Sequence, residues 1–211
     1  MRTYQAKQQK EATSVWVGRG GRVCYDFELD NYDFQRATGM FRTNARPPGP
    51  NCLREIVGID YLADVVIAIA DRSEMSDKFL AVLKHFRHLR EVSVDVDSGE
   101  GLAHLGSMNN LLALFISSEN IVDADISHIR RLTNLRRLGL YVPIGDEGLC
   151  HLSQMTELRQ LSLLSSRISD SGVDHILVLK NLTKLDIRHT LITAAGIERL
   201  RAELPGCHIV R

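Results

Sequence analysis

The chain repeats itself. Leu111 opens "LLALFISSENIVDADISHIRRLTN", Leu135 opens "LRRLGLYVPIGDEGLCHLSQMTE", Leu158 opens "LRQLSLLSSRISDSGVDHILVLKN", and Leu182 opens "LTKLDIRHTLITAAGIERLRAELPG", successive units of 24, 23, 24 and 25 residues. Upstream, Leu89 opens a 22-residue unit, "LREVSVDVDSGEGLAHLGSMNN", and a degenerate unit of 24 residues begins at Val65, which makes six. No other feature restricts the fold as strongly. A unit this small cannot bury its own apolar face, so it must stack on copies of itself.

Each unit changes hydrophobic period halfway. In the unit from Leu158, Leu161 and Leu163 alternate with polar residues, the pattern of a short strand with one buried face. Ile168, Val173, Ile176 and Leu179 then follow the spacing of a helix with one apolar stripe. Between them Ser169 and Asp170 offer short polar side chains that cap the free N–H groups at a helix start. Strand, turn and helix, stacked six times, predict a parallel-stranded α/β solenoid.

The pattern LxxLxLxxxxISDxGLxxLxxL resembles the leucine-rich repeat, in the variant with a full helix on the convex side, as in ribonuclease-inhibitor-like repeats. It covers residues 65–206. The resemblance implies a right-handed solenoid with its parallel sheet on the concave side and its helices on the convex side. Two units depart from the pattern: Asp125 stands where others have Gly148, Gly172 or Gly196, and Ala68 and Ala70 fill the inward strand slots of the first unit. "GGRVCYDFELD", "PPGPNCLREIVG" and "LPGCHI" are similar to segments of bacterial leucine-rich-repeat proteins, in which a membrane anchor often precedes the solenoid.

A solenoid needs capped ends. Residues 1–64 are read as an N-terminal cap: a helix over Gln5 to Trp16, then an amphipathic strand in which Val23, Tyr25, Phe27 and Leu29 alternate with polar residues, then a stiff "ARPPGPN" connector leading to a short helix through Leu53, Ile56 and Val57. Residues 207–211 are read as a closing strand, with the whole chain one structural domain.

Charge excludes some partners. With 26 basic and 26 acidic side chains, the chain lacks the cationic excess that binding to nucleic acid or an anionic membrane requires. The longest apolar run, Val65 to Ala70, falls far short of the roughly 18 to 20 residues of a spanning helix. Any anchor or export signal is therefore expected to lie outside this chain. Four widely spaced cysteines, with no CxxC pair, favour free thiols and a reducing, cytoplasmic setting by default.

Several short stretches suggest chemistry and lose it on alignment. "GLCHL" pairs Cys150 with His151, but adjacent helical residues point about 100° apart, and the repeats put Ala103, Ser127 and Asp174 in the slot of Cys150. His104, His128, His151 and His175 form a column, one per unit. Neighbouring helices about 8 to 10 Å apart hold such imidazoles too far apart for one zinc, whose nitrogen ligands sit about 2.0 to 2.1 Å from the metal. The column is read as structural. "DVDSGEG" spaces Asp95 and Asp97 like calcium ligands, yet Gly99 occupies the third position and the bidentate Glu is missing, so it reads as a trimmed turn. "GRGGR" leads into a strand rather than a helix and lacks the spacing of a phosphate loop.

What remains is a surface. The strand residues between buried leucines point to the concave face: Asp71, Asp95, Phe115, Arg137, Tyr141, Leu164, Lys184, Asp186, Arg188 and His189. Phe115, Tyr141 and Leu164 fall on successive strands and are expected to form an apolar anchor with an acidic rim at one end and a basic rim at the other. The sequence thus predicts a non-enzymatic module, monomeric by default and needing no cofactor, that binds a partner protein through its concave face. The alternative is a scaffold subunit of a membrane-associated complex.

Overall fold

The computed structural model describes residues 2–19, 22–25, 65–70, 77–164 and 167–211. Among the described residues eight strands form one sheet in chain order: β1 (Arg22–Tyr25), β2 (Val65–Ala70), β3 (Glu91–Asp95), β4 (Ala113–Ser117), β5 (Arg137–Tyr141), β6 (Gln160–Leu163), β7 (Lys184–Asp186) and β8 (His208–Val210). β1 is antiparallel to β2, and every later pair is parallel. Chain-order parallel pairing is what repeating strand-and-helix units produce, since each helix returns the chain to lay the next strand beside the last.

The register keeps one core column in line. Val92, Leu114, Leu138, Leu161, Leu185 and Ile209 are successive partners. Ala68 and Ala70 pair with Val92 and Val94, so the first unit is in register despite its small side chains. All but Ile209 of the column, and the leucines that open the units from Leu89 to Leu182, are buried. Each such side chain contributes about 1.5–3 kcal/mol of apolar burial.

Convex elements follow strands β2 to β7: α2 (Asp77–Leu80, continuing as a 3-10 turn through His85), α3 (Gly99–Leu105), a 3-10 helix over Asp123–Ile129, α4 (Asp146–Cys150), a 3-10 turn running into α5 (Val173–Leu177), and α6 (Ala194–Glu203). The last of these has ten residues; the others are shorter than the full helix the repeat pattern suggests. Units of 22 to 25 residues lie low in the range of about 20–29 for leucine-rich repeats, which leaves little chain for the convex arc.

Four of the strand-to-helix turns are held by a carboxylate from the preceding unit. Asp146 accepts from the Ser169 amide (2.8 Å) and hydroxyl (2.6 Å), Asp170 from the Thr193 amide (2.8 Å) and hydroxyl (2.6 Å), and Asp123 from the Gly145 amide at 2.7 Å. Asp77 does the same for the Asp97 amide and the Ser98 hydroxyl. These carboxylates lie so close that a Cβ on Gly172 or Gly196 would sit 2.4 or 2.3 Å from them, which is why glycine recurs there.

Asp125 departs from this rule because Gly99 does as well. In the short unit from Leu89, Gly99 takes the slot of the carboxylate, and Asp125 takes the glycine slot of the next unit. A Cβ on Gly99 would meet Asp125 Oδ1 at 2.2 Å. Asp125 instead accepts from the Val122 amide at 3.0 Å, capping its own helix. The two departures compensate each other, and "DVDSGEG" is a strand-to-helix turn, β3 ending at Asp95 and α3 starting at Gly99.

At the near end, α1 (Arg2–Val17) packs against the Ala81–His85 turn, with Ala12 buried and Trp16 fully enclosed. The strand residues beyond Tyr25, the "ARPPGPN" connector and the helix expected after it lie outside the described residues. At the far end β8 closes on β7.

Candidate functional site

The open face of the sheet carries the residues that alternate with the core column. Asp95, Phe115, Tyr141 and Leu164 are half-buried there, while Lys184, Arg188 and His189 are exposed. Asp71 lies outside the described residues.

Two of the charges expected on the concave face are instead internal. Arg137 is 8% exposed and Asp186 6%. Arg137 reaches across the strand between them to Glu91, its Nη1 lying 3.5 Å from the carboxylate. Small, buried Ala113 sits between Glu91 and Arg137 in register and permits the contact. The same guanidinium stacks 4.9 Å from the centre of the Phe115 ring, a cation–π arrangement. Asp186 is gripped by Arg188, whose Nε and Nη2 donate at 2.9 and 2.7 Å.

Gly139 explains how Phe115 lies. It is the register partner of Phe115, and a Cβ there would come within 2.6 Å of the Phe115 ring and 3.1 Å of the Tyr141 hydroxyl. The missing side chain lets both aromatics fold over β5, so the apolar patch is a low, packed surface rather than a row of projecting anchors. Tyr141 shares a hydrogen bond with Ser162, and its phenol is pushed above its usual value, first by burial and then by the nearby Asp186 carboxylate, against the opposing pull of Arg137 and Arg188. Burial also pushes the Asp186 carboxyl up, but the hydrogen bonds and charge of Arg188, with Lys184, outweigh it and hold the group below its ordinary value.

His189, beside this cluster, has φ 61°, a left-handed conformation that few non-glycine residues adopt. It sits in a turn closed by the Thr190 amide donating to the Ile187 carbonyl at 3.3 Å. Glu91, Gly139 and Ser162 were not among the sequence candidates. Their signal was parity: each occupies the same alternating face as Phe115 and Arg137.

The convex candidates are spread out. His104 and His128 are exposed, His151 and His175 half-buried, and Cys150 is an exposed free thiol. Among the described residues no three metal-binding side chains lie together. No described helix is long and apolar enough to cross a membrane.

No protein-family model and no curated protein matches the sequence. Solved structures do. An internalin from Listeria monocytogenes is similar over 62% of this chain and 36% of its own, with 22% identity and a TM-score of 0.52. Internalin C2 of the same species matches over 62% and 54%, with 21% identity and a TM-score of 0.45. A leucine-rich-repeat protein from Leptospira interrogans matches over 62% and 51%, with 16% identity and a TM-score of 0.35. The chain thus spans between about a third and about half of these structures. Only the first likeness is close enough to weigh, and it concerns the fold. The in-register core column, the chain-order parallel sheet and that likeness agree: this chain is a leucine-rich-repeat solenoid.

Proposed function

We propose that the protein is a binding module, not an enzyme, and that it holds a partner protein on the open, concave face of its sheet. What supports this reading is the set of half-buried Phe115, Tyr141 and Leu164 on successive strands of one face, with exposed Lys184, Arg188 and His189 toward its far end. Its side chains are already fixed: Phe115 by Arg137 and Gly139, Tyr141 by Ser162. A surface ordered before it meets its partner loses less conformational entropy on binding. Sheet spacing of about 4.8 Å per strand makes the face about 25 to 30 Å wide across six strands, room for a helix, a loop or a small domain.

The test is capture of partners from the native organism with three forms of the protein, compared by quantitative mass spectrometry. Ser162→Arg places a long side chain in the middle of the open face. Glu147→Arg does the same on the exposed convex side. A protein retained by the parent chain and by Glu147→Arg but lost with Ser162→Arg supports the reading; equal retention by all three refutes it. Arg137→Ala is a poor probe, because it strips the charge partner from buried Glu91 and perturbs the fold itself.

A further inference from the structure

We infer that the rim where the chain enters the sheet holds a second site, one for a carboxylate-bearing ligand with an apolar body. A cavity of about 430 Å³ opens there, within the usual span of about 300–1,000 Å³ for small-ligand sites. Its lining includes Arg136, Arg137 and Arg159, the apolar Leu112 and Ala113, and Gln160 and Thr183. Among the described residues no acidic side chain is in that lining.

Arg136 and Arg159 occupy the same place in successive units. The Leu112 carbonyl accepts from the amides of Arg136 and Arg137 at 2.8 and 3.1 Å, and the Arg136 carbonyl accepts from those of Arg159 and Gln160 at 2.9 and 3.0 Å. The Thr183 amide and hydroxyl in turn donate to the Arg159 carbonyl at 2.8 and 3.0 Å. The two backbones are therefore pinned one strand apart, about 4.8 Å. Both side chains are exposed, and neither guanidinium has a hydrogen-bond or ion-pair partner among the described residues. Arg137, the third, differs in already facing Glu91.

Two like charges carried on neighbouring strands repel each other when their side chains extend side by side, and an anion between them relieves that repulsion. The guanidinium fork matches a planar carboxylate in two parallel hydrogen bonds. Leu112 and Ala113 supply a wall on which an apolar stem rests, and the half-buried Gln160 amide offers a further donor at its edge. A bare inorganic anion would leave that wall uncovered. Arg137 borders both this cavity and the concave patch, whereas Arg136 and Arg159, which carry the assignment, belong to the cavity.

The experiment follows the arginine side-chain N–H resonances of the full chain by NMR while N-acetyl-leucyl-glutamate, a dicarboxylate with an apolar side chain, is added. Its uncharged counterpart, N-acetyl-leucyl-glutaminamide, and inorganic phosphate serve as the other probes. The dipeptide acid is expected to saturate in the millimolar range, with the amide and phosphate each at least tenfold weaker. Arg136→Gln and Arg159→Gln should each weaken the acid at least tenfold and leave the melting temperature unchanged, since neither side chain has a partner among the described residues. Ser162→Arg, which obstructs the concave face, should leave the dipeptide affinity intact. Equal binding of acid and amide, phosphate matching the acid, or undiminished binding by both arginine variants would each overturn the assignment. Loss of binding with Ser162→Arg would move the ligand to the concave face and overturn it as well.

Discussion

Gly99 and Asp125 form a compensating pair, and exchanging them tests how one repeat positions the next. Gly99→Asp restores the carboxylate that other units carry, but its Cβ meets Asp125 Oδ1 at 2.2 Å and brings two carboxylates together. Overpacking of this kind costs about 1–3 kcal/mol; both positions are partly exposed and Asp125 can rotate, so about 2 kcal/mol is expected. Asp125→Gly removes the bond to the Val122 amide and costs about 1 kcal/mol. Independent effects would sum to about 3 kcal/mol in the double variant. If the pair is a true exchange, the double variant regains the arrangement in which Asp146 meets Gly172, and it should lose less than about 1 kcal/mol, a coupling of about 2 kcal/mol. At about 2–4 °C per kcal/mol for a chain of this size, calorimetry should find Gly99→Asp about 4–8 °C below the parent and the double variant within about 4 °C of it. A double variant melting as low as the sum of the single changes would refute the reasoning.

Three further outcomes follow from the same contacts. Arg137→Ala should lower the urea-unfolding free energy by about 3–5 kcal/mol, because it removes the guanidinium that the buried Glu91 carboxylate faces, and an unchanged unfolding free energy would contradict this. The Asp170 carboxyl is held below its ordinary value of 3.8 by the Thr193 hydroxyl and amide. A depressed carboxyl contributes stability that is fully present above the unfolded value and lost as pH falls through the folded one, so the melting temperature should drop below about pH 4, and Thr193→Val should reduce the difference between pH 7 and pH 3; an identical difference in both forms would contradict this. Gly139→Ala should displace the Phe115 ring and destabilise by about 1–3 kcal/mol, which near-ultraviolet circular dichroism and thermal melts would register.

The repeat made the sheet legible before any coordinates. Strand alternation places Leu114, Leu138 and Leu161 in one column because a side-chain period of two leaves only one face to bury. Helix starts were legible too, from Ser169–Asp170 and the glycines that follow. What the sequence hid is contact between units. Asp125 looked like a loose repeat until Gly99 was seen beside it, 26 positions earlier. Arg137 looked like an exposed basic group because nothing local reveals that Ala113 is small enough to let Glu91 reach it. The paired Arg136 and Arg159 were visible as "LR" at the head of two successive units, but their significance depends on the cavity between them and on the absence of a described partner.

The concave-face reading is tested most directly by hydroxyl-radical footprinting of the protein alone and with its captured partner. The account predicts that oxidation of Tyr141 and Leu164 slows several-fold in the complex, while that of Cys150, His151 and exposed Val178 on the convex side stays as it was. Protection of the convex residues with Tyr141 and Leu164 unchanged would contradict it, and would favour a subunit that assembles through its helices.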